Sequence, residues 1–70
     1  MFIAIQEDYT ATKIGSSIKA VTDYIKKHGY VLEDEEEPTQ AKIKAHLSEN
    51  YLCLYRRGED SDWVEKIVKV

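Results

Sequence analysis

The C-terminal residues 51–70 place two apolar stretches on either side of a turn sequence. YLCLYRR occupies residues 51–57, GEDS occupies residues 58–61, and WVEKIVKV continues to the end of the chain. Turn-forming residues between two stretches rich in aromatic and β-branched side chains are typical of a β-hairpin. Successive strand side chains point to opposite faces of a sheet, so both faces of this hairpin would be largely apolar. A chain of only 70 residues must therefore cover two apolar faces with very little other material.

The length of the turn decides which of these side chains share a face. An odd-numbered loop would bring the aromatic side chains together with a cysteine and an isoleucine: Tyr51, Cys53, Tyr55, Trp63 and Ile67. A loop of two or four residues would instead group Leu52 and Leu54 with Trp63 and Ile67. We favour the first arrangement, because it collects the aliphatic side chains in the core and leaves an aromatic outer face.

Residues 17–28 carry every signal expected of a helix. Ser16 or Ser17 can accept a hydrogen bond at its first turn, and an apolar stripe follows at spacings of three and four. Positive side chains collect in the last turn, and Gly29 suits the left-handed residue that ends a helix.

The remaining elements are shorter. FIAIQE, residues 2–7, is predicted to form a strand, and a polar connection follows from Tyr9 to Gly15. Residues 30–32 are predicted either to form a brief strand or only to pack as a connecting segment after the first helix. A second helix is predicted from Pro38, at its first position, to about Asn50. The order β-α-(β)-α-β-β indicates one α+β domain over residues 1–70, a two-layer sandwich with both helices on one face of an antiparallel sheet.

An uninterrupted acidic segment precedes the second helix and the only proline of the chain: Glu33, Asp34, Glu35, Glu36 and Glu37. One interpretation is a solvated helix entry, since carboxylates are favourable near a helix N-terminus. Five adjacent carboxylates also repel one another, and a second interpretation is a docking surface for a basic groove on a partner. Divalent-metal binding is a third, although the glycine and asparagine spacing of calcium loops is missing.

Composition narrows the range of functions. One cysteine rules out an internal disulfide, and the Cys/His spacings of metal sites are absent. There is no phosphate-binding glycine loop and no nucleophile motif, so we expect a protein without cofactor and without enzyme activity. With 10 bases against 13 acids, the charge balance disfavours nucleic acid as a partner. No apolar run approaches the roughly 18 residues of a membrane span, and Met1 leads directly into FIAI, so we expect a cytoplasmic address without membrane contact.

In type, the chain resembles the small single-domain inhibitors encoded by phages and prophages, such as anti-CRISPR and other anti-defence proteins. The features that carry the resemblance are a short frame opening at Met1, an α+β order, the acid clusters EDEEE and GEDSD, and no catalytic motif. The resemblance implies a protein that acts in a host cytoplasm by occupying a basic or ligand-binding groove. It rests on no family motif, so no residue roles follow from it.

The leading hypothesis is a non-enzymatic protein-binding module that inhibits or regulates a larger protein with a basic groove. Its candidate binding residues are the acidic segment and the three aromatic residues of the hairpin: Glu33, Asp34, Glu35, Glu36, Glu37, Tyr51, Tyr55 and Trp63. A structural homodimer or assembly subunit is the first alternative, and a small nucleic-acid-binding regulator is the second.

Overall fold

Two helices pack on one face of a five-stranded antiparallel sheet in a computed structural model that describes residues 1–59 and 62–70. The fold is therefore the small two-layer α+β sandwich that the sequence predicts. The elements in chain order are β1 (Phe2–Gln6), β2 (Ala11–Gly15), α1 (Ile18–His28), β3 (Tyr30–Val31), a 3₁₀ turn (Glu33–Glu35), α2 (Gln40–Glu49), β4 (Tyr51–Arg56) and β5 (Glu65–Lys69). Within the described ranges, neither helix is long and apolar enough to cross a membrane.

Helix α1 begins and ends where its sequence signals predict. The hydroxyl of Ser17 accepts a hydrogen bond from the backbone N–H of Ala20 at 3.0 Å. Gly29 adopts a φ of 72°, and its N–H donates to the carbonyl of Lys26. The capping serine and the left-handed glycine thus satisfy backbone groups that the helix itself leaves unpaired.

Helix α2 differs from the prediction at its start. The hydroxyl of Thr39 caps the helix by accepting from the N–H of Lys42 at 3.3 Å, so Thr39 is the N-cap and Gln40 the first helical residue. The prediction that Pro38 takes the first helical position is therefore wrong, and Pro38 is instead buried just outside the helix.

The polar connection predicted from Tyr9 to Gly15 is wrong in its second part, because residues 11–15 form strand β2. Gln6 and Thr10 close the hairpin between β1 and β2, with the N–H of Gln6 donating to the carbonyl of Thr10 at 2.9 Å. Strand β2 lies at the edge of the sheet and its first three side chains are exposed, which explains its polar composition. The brief strand considered at residues 30–32 is present as β3.

The strand order β2-β1-β5-β4-β3 places the first and last strands side by side in the sheet. Phe2 pairs with Lys69 and Gln6 with Glu65. The two ends of the chain also meet, since the N–H of Val70 donates to the carbonyl of Met1 at 2.9 Å.

The register of the C-terminal hairpin shows that the grouping favoured from the sequence is wrong for Ile67. Leu52 pairs with Ile67 and Tyr51 pairs with Val68, so Ile67 belongs to the helix-facing core while Val68 faces outward. The odd-numbered loop favoured from the sequence does not predict this register, because β5 begins only at Glu65. Residues 60 and 61 of the predicted turn GEDS lie outside the described residues.

The core lies between this inner sheet face and the helices. Its buried side chains come from β1, both helices, the segment after β3 and the C-terminal hairpin: Phe2, Ala4, Val21, Ile25, Leu32, Ile43, Leu52, Leu54 and Ile67. Both helices bury their apolar stripes here, which leaves the opposite face of the sheet without a helix over it.

Candidate functional site

The face of the sheet opposite the helices, called here the outer face, carries a mixed but largely apolar set of side chains. Its members alternate with the core residues of β1, β4 and β5: Ile3, Ile5, Tyr51, Cys53, Tyr55, Lys66 and Val68. Cross-strand pairing aligns Ile3, Val68 and Tyr51 in one row across β1, β5 and β4. Ile5, Lys66 and Cys53 form the next row. The rows are contiguous, and Lys66 is the one charged side chain among them, so the face offers an apolar area interrupted by a single ammonium.

Lys66 organises the aromatic part of the outer face. Its Nζ lies 4.6 Å from the ring centroid of Tyr51 and 4.9 Å from that of Trp63. An ammonium over an aromatic face is attracted by the ring quadrupole. Lys66 therefore holds the two rings on the same side of the sheet, although Trp63 precedes β5 and Tyr51 begins β4.

Tyr55 and Cys53 lie beside this aromatic pair and are half-buried. Burial is the main cause that raises the pKa of each group, the phenol of Tyr55 and the thiol of Cys53. Tyr55 pairs with Val31 of β3, which brings the chain entering the acidic segment against β4. Glu33 consequently lines the same cleft of about 530 Å³ as Tyr51, Tyr55 and Trp63.

The acidic segment is folded back on the protein over part of its length. Asp34 and Glu35 adopt positive φ angles of 61° and 57°, and the N–H of Leu32 donates to the carbonyl of Glu36 at 2.9 Å. The carboxylate of Glu36 lies 2.9 Å from Nζ of Lys42 on α2. The segment is therefore a closed loop that bridges β3 and α2.

Two further carboxylates of the segment are tied to the loop that follows β4. Glu37 makes two contacts with the guanidinium of Arg57, at 2.7 and 3.0 Å, and Glu35 accepts from the N–H of Gly58 at 2.6 Å. The hydrogen bond from Arg57 is the main cause that lowers the pKa of Glu37, as the one from Lys42 does for Glu36. Within the described part of the chain, the carboxylates of Glu33 and Asp34 have no such partner, and no three His, Cys, Asp or Glu side chains are grouped to hold a metal ion.

More acids lie at the end of the sheet where β1 meets β2 and where β4 leaves the sheet. A cleft of about 560 Å³ is lined by four acids, by Tyr55 and by the base Arg56; the acids are Glu33, Asp34, Glu35 and Glu59. A second cleft, of about 320 Å³, is lined by Glu7, Asp8 and Arg56 among others. We call this region the acidic end.

The turn between β1 and β2 adds an aromatic residue that the sequence analysis did not select. Tyr9 is 86% exposed and has a φ of 66°. With Glu7, Asp62 and Trp63 it lines a cleft of about 220 Å³, called here the turn cleft. A bulky residue at the tip of a predicted turn was the signal that could have revealed it.

Glu65 is a second feature that the sequence analysis missed. It is only 5% exposed and lies on the helix-facing side of β5, where its Oε1 accepts from Nε2 of Gln6 at 3.0 Å and from the hydroxyl of Tyr24. Burial first and this hydrogen bond second raise the pKa of Tyr24 above 10.0. Burial and Glu65 likewise raise the pKa of Tyr30. The cluster fixes α1 to the sheet. Its sequence signal was an acid two residues before Ile67, on the same face of the strand.

Comparison of the chain with family models, with curated proteins and with solved structures found no match. The site is therefore defined by geometry alone. The structure brings Glu33, Tyr51, Tyr55 and Trp63 to one cleft. It directs Glu35, Glu36 and Glu37 into contacts within the chain, and Asp34 lines the acidic end beside Glu33.

Proposed function

We propose that the protein is a non-enzymatic protein-binding module that docks its outer face on a larger protein with a basic surface, and thereby inhibits or regulates that protein. The observation that carries the proposal is a part-exposed, largely apolar sheet face that has no helix over it and is bordered by carboxylates. A partner would bury the apolar centre and neutralise the acidic border.

The apolar centre supports a docking role because interface cores are depleted in charge and enriched in aromatic side chains. Ile3, Val68 and Tyr51 form a row across three strands, and Tyr51 is 49% exposed. Aromatic residues that are already ordered lose little side-chain entropy on binding. Because Lys66 holds the rings of Tyr51 and Trp63 in place, this part of the surface is arranged before any partner arrives.

The acidic border supports a basic partner. Glu33 and Asp34 lie beside β4, while Glu7 and Glu59 line clefts at the acidic end. The chain carries a net charge of −3. Complementary charge around an apolar centre accelerates association and excludes partners of the wrong sign.

The test is affinity capture from the native cell, followed by measurement of the dissociation constant with the purified captured protein. Tyr51→Ala should weaken binding at least about ten-fold, as expected for an aromatic anchor. Glu33→Lys with Asp34→Lys should slow association and flatten its dependence on salt. Asp23→Asn is the matched control, because Asp23 is an exposed acid on α1 whose partner is Lys19. Equal affinities for all these variants and the wild type would refute the proposal.

A homodimer or assembly subunit is the second candidate. The row of Ile3, Val68 and Tyr51 favours it, since two copies packed through this row would each cover the other's apolar centre. Light scattering over a range of protein concentrations decides the matter. A dimer that dissociates in Val68→Lys, with the fold retained by circular dichroism, would support this candidate, and a monomer at all concentrations would exclude it.

A further inference from the structure

The turn cleft lies between the β1–β2 turn and the segment that leads into β5. Its volume of about 220 Å³ is below the roughly 300–1,000 Å³ of small-molecule sites. Two of its lining residues are aromatic, Tyr9 and Trp63, and two are acidic, Glu7 and Asp62. A space of this size and chemistry is suited to one cationic side chain.

Tyr9 has a backbone conformation that is unfavourable for folding. At its φ of 66° a glycine would be free of the steric cost that a bulky side chain incurs. Tyr9 as a residue is 86% exposed, so its side chain adds almost nothing to the core. Residues that hold such unfavourable conformations are concentrated at ligand-binding positions.

The indole of Trp63 already attracts a cation, although that cation lines the cleft of about 530 Å³ and not the turn cleft. The ammonium of Lys66 lies 4.9 Å from the ring centroid of Trp63. The indole therefore occupies a position where a positive charge can approach its ring. Tyr9 supplies a second ring and Glu7 a carboxylate on the same cleft.

We propose that the turn cleft binds an arginine side chain of the basic partner. A guanidinium is planar, so it stacks on aromatic rings while its N–H groups donate to carboxylates. An ammonium has no such plane, and an uncharged side chain has no charge attraction to Glu7. This inference rests on the proposed function and specifies which side chain of the partner docks at the acidic end.

Trp63 is the only tryptophan of the chain, so its fluorescence reports on the cleft directly. The probe is a blocked tripeptide, acetyl-Gly-Arg-Gly-amide, titrated into the wild type. Saturable quenching is expected with this peptide, and weaker quenching with the lysine peptide. The citrulline peptide, which keeps the shape of arginine without its charge, should give the weakest quenching. Equal responses to the arginine and citrulline peptides, or tighter binding of the lysine peptide, would overturn the proposal.

Tyr9→Gly is the decisive variant. Glycine adopts this φ without steric cost, so the folded state should be as stable as that of the wild type or more stable. The arginine peptide should bind roughly five-fold more weakly to it, the size expected from loss of one cation–π contact. Asp23→Asn, away from the cleft, should bind as the wild type does. Unchanged peptide affinity in Tyr9→Gly would refute the assignment.

The partner itself separates this inference from the proposed function. If Tyr51→Ala loses the captured partner while Tyr9→Gly keeps full affinity for it, the arginine cleft is wrong and the docking face stands. If both variants keep full affinity, both proposals are wrong. A loss in both variants supports both.

Discussion

The hydroxyl of Tyr24 on α1 donates a hydrogen bond to the buried carboxylate of Glu65 on β5. This contact joins the helix layer to the sheet by a polar link beside the apolar core. Because hydroxyl and carboxylate are far apart in sequence, the link exists only in the folded state. Its effect is therefore visible in the dependence of stability on pH.

Stability should fall as pH rises above about 10. The folded pKa of Tyr24 is raised, so its contribution is fully present below its unfolded value of 10.0 and is lost as pH rises through the folded value. Tyr24→Phe should cost about 1.5–3 kcal/mol at neutral pH, the usual value for a hydrogen bond to a charged group, and should flatten the alkaline loss. Urea unfolding at several pH values measures both effects. Tyr51→Phe is the control, and an equally flattened alkaline limb there would contradict the assignment to Tyr24.

Acid should release the acidic segment. The pKa values of Glu36 and Glu37 are lowered by Lys42 and Arg57, so their contributions are present above the ordinary value of 4.5 and are lost as pH falls through the folded values. Glu36→Gln with Glu37→Gln should make the acid limb less steep. Both pairs are exposed, so 0.5 M salt should shrink the difference between variant and wild type. An acid limb that is identical in the double variant would show that these pairs do not hold the segment.

The register of the hairpin predicts unequal losses of stability when two neighbouring residues are replaced by alanine. Ile67 is fully buried, and Ile67→Ala should cost about 2–5 kcal/mol. Val68 lies on the outer face, and Val68→Ala should cost about 1 kcal/mol or less. A domain of this size has little stability to lose, so Ile67→Val, at about 0.5–1.5 kcal/mol, keeps the comparison measurable if Ile67→Ala does not fold. Equal costs for the two alanine variants would contradict the observed register.

Tyr9→Gly should leave the protein as stable as the wild type or more stable by up to about 1 kcal/mol. Relief of the left-handed conformation favours the variant, while the greater freedom of glycine in the unfolded chain opposes it. Thermal unfolding measures the balance. A clear loss of stability would show that the Tyr9 ring supports the fold, in which case its exposure would not indicate a binding role.

Local signals predicted some elements and long-range contacts decided the others. Helix α1 follows from its sequence because Ser17 and Gly29 act on backbone groups within one turn of themselves. Strand β2 was missed because its side chains are mostly exposed, and only pairing with β1 makes it a strand. The polar residues that suggested a loop are compatible with an edge strand in water.

The candidate site was likewise predicted only in part from the sequence. Tyr51, Tyr55 and Trp63 do share the outer face, as their alternation suggested, but Ile67 does not join them. Val64 and Glu65 are consecutive and both buried, which breaks the alternation just before β5. A count of loop residues cannot anticipate this break, since it depends on the contact between the N–H of Val64 and the carbonyl of Leu54.

The adjacency of β1 and β5 has a consequence for synthesis. Strand β1 cannot complete its pairing until β5 has been synthesised, because Phe2 pairs with Lys69. A nascent chain held at the ribosome with β5 still inside the exit tunnel would thus expose β1 on the side where β5 belongs. Contacts between such distant residues slow folding, so we expect the native sheet to close only after translation has passed residue 69, and fragments that stop short of β5 to remain unfolded.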